Sequence, residues 1–138
     1  VDLEVVSDLP SAVERADIVS TSTRASKPII NGDWVQPGAH IDLIGSYTPD
    51  MREADDTLIA KGAVFVDCRE TPIEYVGDLT QPIANGIITA ADVLGDLYDL
   101  VNASVQGREN DSQITVFKNG GGAHLDLMVA NYVANIVS

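Results

Sequence analysis

His40-Ile41-Asp42-Leu43-Ile44-Gly45-Ser46-Tyr47-Thr48-Pro49-Asp50-Met51-Arg52-Glu53 is the stretch that decides how the chain is read. Its largely apolar run, His40 to Ile44, has the length of a strand and stops at Gly45-Ser46. Thr48 suits a helix N-cap and Pro49 the first helical position. Asp50 and Glu53 then fall in a first turn, where the helix dipole favours acids. Ala54, Leu58 and Ile59 continue the helix, and Gly62 is placed to close it in the left-handed region. The pattern predicts strand, glycine turn, helix, with the turn at the carboxyl end of the strand. In an open parallel sheet that is where ligands bind.

Working outward, Val1–Ser7 alternates weakly and reads as a strand. Asp8 or Ser11 is placed to cap a short helix through Val13 to Arg15. Ala16–Thr21 reads as a second strand that runs into three hydroxyls, Thr21-Ser22-Thr23. Asn31-Gly32-Asp33 is turn chemistry, and Trp34 and Val35 should pack beside the sheet. Beyond the opening stretch, Ala63–Asp67 is a nearly continuous apolar run, as expected of a strand buried on both faces. Pro72, Gly77 and Pro82 keep any helices over 69–85 short. Thr89 is placed to cap a helix over Ala90–Val101, whose Val93, Leu94, Leu97, Leu100 and Val101 recur at helical spacing. Val105–Asp111 is turn-like, Gln113–Phe117 reads as a strand, Asn119–Gly122 as a glycine turn and Ala123–Val137 as a terminal amphipathic helix. Strands alternating with helices imply an α/β fold with a parallel sheet and right-handed crossovers.

Composition sets bounds on function. The 138 residues are 45% hydrophobic and 21% charged, so one domain with a real core is expected. Aromatic residues are only 5%, so Val, Ile, Leu and Ala must fill that core. A net charge of −13 argues against nucleic acid and anionic membrane as partners. The acidic surface is either simply solubilising or salt-adapted. No apolar run has the length of a membrane span. The lone Cys68 has no internal disulfide partner, which points to the cytoplasm.

No G-x-G-x-x-G phosphate loop is present, and Asn119–Gly122 lacks its spacing. Thr21–Thr23, Gly45–Tyr47, Asp67-Cys68 and Lys118–Gly120 all fall at predicted carboxyl ends of strands, and parallel strands would bring them to one edge. Two readings stay open at this point. Glycines and hydroxyls at such an edge can receive a ligand, or they can merely make turns and cap helices. His40 and His124 have no metal-ligand partner at short spacing, which favours structural or surface roles and no metal site. Cys68 reads as a small buried residue and Asp55-Asp56 as a solvated helix face, while Asp42, in an apolar strand, needs a buried partner or an edge position. Asn102-Ala103-Ser104 fits a glycosylation sequon that has no consequence in the cytosol.

Taken together, Ala16–Thr23, His40–Asp56, Val66–Glu70, Gly77-Asp78 and Thr115–Gly121 resemble, in order and over nearly the whole chain, the ornithine cyclodeaminase/mu-crystallin family. The resemblance implies a Rossmann-type parallel sheet with helices on both faces, here the later part of a larger domain, and NAD or NADP as cofactor. It implies that residues 1–121 are a partial NAD(P)-binding domain and that 122–138 return toward a substrate and dimerisation domain outside this chain. The phosphate loop and the substrate-anchoring arginine and lysine would lie upstream, so the chain is expected to be a fragment, inactive alone. By position, Thr23, Ile44, Gly45, Ser46 and Tyr47 match cofactor-contacting segments, and Asn119 and Gly120 match residues near the nicotinamide end; the catalytic residues stay unassigned. Ornithine cyclodeaminases carry an aspartate where this chain has Tyr47 and a lysine near Met51. A tyrosine cannot act as a carboxylate base near neutral pH. The resemblance therefore leans to the cyclic-ketimine reductases, which reduce small cyclic 2-imino acids such as Δ1-pyrroline-2-carboxylate, in the intact protein as a homodimer. The alternatives are ornithine cyclodeaminase proper and a non-catalytic mu-crystallin-like binding protein.

Overall fold

The computed structural model describes residues 2–137, apart from the side chain of residue 124. Strands β1 (Ile18–Thr21), β2 (His40–Leu43), β3 (Ala63–Val66), β4 (Val93–Asp96) and β5 (Thr115–Lys118) form one sheet in the order β1-β2-β5-β3-β4. Every neighbouring pair is parallel. Thr21 sits opposite Leu43, and both Leu43 and Val66 sit opposite Lys118, so these strands end level with one another.

The helices are α1 (Leu9–Glu14), α2 (Asp56–Lys61), α3 (Glu70–Tyr75), α4 (Gly77–Ala84), α5 (Leu97–Val101) and α6 (Ala123–Val137). The chain advances one way across the sheet from β1 to β4, and only the β4-to-β5 connection returns. Right-handed crossovers therefore place α2, α3 and α4 on one face and α5 on the other. This is the parallel α/β sheet that the sequence pattern predicts, with helices on both faces as in the Rossmann-type sheet the resemblance implies.

The two faces differ in chemistry because side chains alternate along each strand. Ile41, Leu43, Val64, Val66 and Val116 meet Leu58, Ile59 and Leu79 on the first face, and none is more than 2% exposed. Each such side chain contributes roughly 1.5–3 kcal/mol by leaving water. The second face carries His40, Phe65, Thr115 and Phe117, which with Leu100 and Arg108 border a cavity of about 310 Å³. Here His40 Nδ1 lies 2.8 Å from Thr115 Oγ1, and Arg108 donates to that oxygen at 3.1 Å and to the Gln113 carbonyl at 2.7 Å. Burial, foremost, holds the His40 pKa below its ordinary value. Asp42 finds a partner in Ser20, whose hydroxyl donates to it at 3.1 Å.

Several local expectations fail, those over 49–56 and 90–101 because tertiary bonds outweigh a local pattern. Residues 2–6 form no strand, and Val1 and Ser138 lie outside the described residues. The long helix from Pro49 does not form: α2 starts at Asp56, capped by Asp55 rather than Thr48. Ala54 instead forms a bridge to Ile30, and Ile29 N and Ile30 N both donate to the Glu53 carbonyl at 2.9 Å. Gly62 ends α2 with φ −84° and ψ 143°, not in the left-handed region. Asp55 and Asp56 are not a free solvated face, since Asp55 accepts from Leu58 N and Gly32 N and Asp56 pairs with Arg52. The predicted helix over Ala90–Val101 is a 3-10 turn (Ala90–Asp92), then β4, then α5. Val93 and Gly95 pair with β3, and Asp96 and Asp99 form a capping box that restarts the helix. Cys68 is half-buried rather than buried. The side chain of His124 lies outside the described residues.

Candidate functional site

Four turns leave the sheet at its carboxyl edge, after β1, β2, β5 and β3. Backbone bonds tie them together. Ile44 N donates to Thr21 O at 2.9 Å, Asn119 N to Leu43 O at 3.1 Å and Asp67 N to Lys118 O at 3.2 Å. Thr23, Ile44, Gly45, Ser46, Tyr47, Asn119 and Gly120 therefore share one rim. Ile44 and Tyr47 expose their side chains, at 42% and 49%.

Beneath the rim lies a group of charged side chains that leave no surface to water. Glu53, Asp67, Asp78 and Lys118 are each 0% exposed. Glu53 binds the first two turns to each other. Its Oε1 accepts from Thr23 N at 2.7 Å and Thr23 Oγ1 at 2.8 Å, and its Oε2 from Gly45 N at 2.8 Å and Thr21 Oγ1 at 2.9 Å. Burial alone would raise the Glu53 pKa, but these hydrogen bonds prevail and hold it below the ordinary glutamate value. Asp78, at the start of α4, does the same one layer further in. Its Oδ1 accepts from Glu53 N at 2.7 Å and Ala54 N at 3.1 Å, and its Oδ2 takes a short hydrogen bond from Ser46 Oγ. Lys118 Nζ lies 3.4 Å from Asp78 Oδ2 and donates to Leu43 O at 3.1 Å. Burial is the main influence on Lys118 and lowers its pKa, with Asp78 opposing.

Glycines let these parts close. A Cβ on Gly45 would overlap the backbone of Thr23 and Oε1 of Glu53, and one on Gly77 would overlap the carbonyl of Met51. At Gly120 it would meet Pro72 Cγ at 2.9 Å and Asp67 Oδ1 at 3.1 Å. In the Asn119–Gly122 turn, Asn119 Oδ1 accepts from Gly121 N at 2.7 Å while Gly121 adopts φ +81°.

Asp67 follows β3 and differs from the other buried acids. Oδ1 accepts from Cys68 N at 2.9 Å, but Oδ2 is buried without a hydrogen-bond partner, the one such side-chain atom among the described residues. Asp67 also lines a cavity of about 260 Å³ whose other walls come from α5 and α6. Among the described residues no group of three His, Cys, Asp or Glu is placed to hold a metal.

The candidate residues thus divide. Ser46 lies on the rim by sequence but turns its hydroxyl inward to Asp78, and Thr23 commits its hydroxyl to Glu53. Their side chains brace the rim, leaving its outer surface to backbone and to Ile44 and Tyr47. Glu53, Asp78 and Lys118 escape sequence reasoning because each reads plausibly as something local: a first-turn acid, a loop acid and a strand-end lysine. No spacing in the sequence brings residues 25 to 75 positions apart into one buried cluster.

The model of the ornithine cyclodeaminase/mu-crystallin family matches residues 1–138. The chain is 59% identical over 137 residues to a Δ1-pyrroline-2-carboxylate reductase of Paracoccus denitrificans, covering 99% of the chain and 43% of that protein. It is 36% identical over 132 residues to the ketimine reductase mu-crystallin of Mus musculus, covering 96% of the chain and 39% of that protein. Among solved structures, Thermococcus litoralis Δ1-pyrroline-2-carboxylate reductase in complex with NADH and L-proline superposes with a TM-score of 0.81 at 33% identity, over 84% of this chain and 36% of that one. The chain thus spans about two-fifths of the length of the curated relatives it matches.

Proposed function

The chain belongs to the ornithine cyclodeaminase/mu-crystallin family, and from that premise we propose that the whole protein is an NAD(P)H-dependent reductase of small cyclic 2-imino acids. The observation that carries this reading is the closed rim. Turns distant in sequence are braced from below by Glu53, Asp78 and Lys118, so that backbone, Ile44 and Tyr47 face outward at the carboxyl edge of a parallel sheet. The named activity of the relatives with 59% and 33% identity supports the same substrate class.

Gly45 and Gly120 have no room for a Cβ because Thr23 and Glu53 at the first, and Pro72 and Asp67 at the second, fill that space, so glycine there lets the rim close with its backbone at the carboxyl edge, the edge where ligands bind in open parallel sheets. In this reading Thr23, Ile44, Gly45, Ser46, Tyr47, Asn119 and Gly120 hold the cofactor, Ser46 and Thr23 by positioning their turns. When bound, NAD(P)H would supply a hydride to the C=N carbon while nitrogen takes a proton from solvent, giving the cyclic amino acid. The chain's own part is orientation and exclusion of water. Residues 1–121 would be part of a Rossmann-type domain, and 122–138 a segment returning toward a substrate and dimerisation domain. The protein would work as a homodimer in the cytoplasm.

Tyr47 separates this reading from ornithine cyclodeaminase. It stands half-exposed on the rim where a cyclodeaminase needs a carboxylate base. The test is an assay of the full-length protein. Oxidation of NADH or NADPH driven by Δ1-pyrroline-2-carboxylate is the expected result. Ammonia release from ornithine without net cofactor use would replace this reading with cyclodeaminase, and ligand binding with neither turnover would replace it with a non-catalytic binding protein.

A further inference from the structure

We propose that Lys118 is a positioning residue for hydride transfer, its ammonium locking the turn after β2 and the turn after β5 at one spacing. This deepens the reductase reading and rests on it for placing the cofactor on both turns.

Full burial of a lysine is rare and costly, since the ammonium gives up water and a flexible stem is fixed. Lys118 is 0% exposed at the last position of β5. Stability alone explains this poorly, because a buried ion pair often adds nothing over apolar side chains of similar volume. The geometry explains it better. Lys118 Nζ donates to the Leu43 carbonyl at 3.1 Å, and the same carbonyl accepts from Asn119 N, also at 3.1 Å. Both lone pairs of one oxygen at the end of β2 are thus taken by the residues that lead out of β5. On its other side Nζ lies 3.4 Å from Asp78 Oδ2, which accepts from the Ser46 hydroxyl. Lys118, Asp78 and Ser46 therefore close a ring, with the backbone from Leu43 to Ser46 as its last side. Asp78 is held from turning away, because Glu53 N and Ala54 N donate to its other oxygen. The carboxylates of Glu53 and Asp67 attract the same ammonium.

Ile44 and Tyr47 face outward from the first turn, and Asn119 and Gly120 belong to the second. A cofactor resting on both turns is held at the spacing that the ring sets. Hydride transfer depends steeply on such spacing, and a misplacement of about 1 Å can cost about 100-fold in rate. With no exposed surface, Lys118 acts through the turns and not on a ligand.

The experiment uses the full-length protein, Δ1-pyrroline-2-carboxylate and NADH or NADPH, below the melting transition of every variant. Lys118→Met combined with Asp78→Asn removes the ion pair while keeping an acceptor for Glu53 N and Ala54 N. Ile59→Ala is the control for lost stability, since Ile59 is buried at the opposite end of the sheet beside Ala63 and Gln113. In single turnovers, the double variant should transfer hydride about 10- to 100-fold more slowly than wild type, with the half-saturating imine concentration within about 2-fold. Ile59→Ala should stay within about 2-fold of wild type in both. Amide hydrogen exchange in the double variant should quicken in residues 44–47 and 119–121 together. Ser46→Ala opens the same ring at the hydroxyl and should produce the same changes, which keeps the test decisive should the double variant not fold. Hydride transfer no slower than in Ile59→Ala, or faster exchange in one turn alone, would overturn the proposal. Should the wild type fail to oxidise NAD(P)H with the imine, the reductase reading falls, and the exchange measurement still decides whether Lys118 joins the two turns.

Discussion

Glu53 and Asp67 are both carboxylates with no exposed surface at the same edge of the same sheet, and they are treated in opposite ways. Under β1 and β2, Glu53 has a donor for every contact it needs: two backbone N–H groups and two threonine hydroxyls. After β3, Asp67 has one backbone donor and an oxygen left over. The first region is a closed device whose charge is spent on holding two turns together. The second leaves one of its oxygens without a hydrogen bond among the described residues. A buried charge is therefore not informative by itself; what distinguishes a brace is whether its hydrogen-bonding capacity is consumed.

If the β1–β2 region is a brace, breaking it should cost more than any change near Asp67. Gly45→Ala should have the largest effect. The new methyl overlaps the Thr23 backbone and the Glu53 carboxylate, neither of which can retreat without breaking the other's bonds. A loss of about 4 kcal/mol, at the upper end for overpacking, is expected in urea melts. An alanine variant as stable as wild type would show that the turns are not closed on each other. Lys118→Met comes next. It strips the cation from Asp78 and leaves that acid buried, for a loss of about 3 kcal/mol. Adding Asp78→Asn should recover part of that loss, and a double-mutant cycle showing strict additivity would mean that the 3.4 Å pair carries no coupling.

The same contrast marks what the sequence makes legible. Parallel α/β order follows from alternating apolar runs and turns, and so does the meeting of Thr21–Thr23, Gly45–Tyr47 and Asn119–Gly120 at one edge. Residues 49–55 mislead because Thr48, Pro49, Asp50 and Glu53 satisfy every local rule for a helix start. Four donors reaching Glu53 from residues 21 to 45 outweigh those rules. Residues 90–101 mislead because Val93 and Leu97 fit a helical period as well as a strand end. Only pairing with β3, which no local pattern encodes, decides between them. The roles of Glu53, Asp78 and Lys118 are illegible for the same reason. Burial of a charged residue is a property of its partners.

Glu53→Gln tests the brace through its charge. An amide keeps the shape but turns a donor toward donors, and about 2 kcal/mol should be lost. The sign of the pH effect follows from the lowered pKa. The stabilisation is fully present above the unfolded glutamate value of about 4.3 and fades as pH falls through the lower folded value. Wild type should therefore lose stability on acidification below about pH 4 more steeply than Glu53→Gln. Parallel acid limbs in chemical denaturation of the two proteins would show that Glu53 is not the group being titrated.

The smallest effect should run in the opposite direction. Asp67→Asn removes the charge from an oxygen that no donor meets, while the remaining carbonyl can still accept from Cys68 N. An unpaired neutral amide costs less to bury than an unpaired carboxylate. Without ligand, the variant should therefore match wild type or exceed it by about 1 kcal/mol. Thermal melts of the two proteins measure that difference. A loss of about 2 kcal/mol in the unliganded variant would mean that Asp67 is a second brace like Glu53, and the distinction between the two regions would be gone.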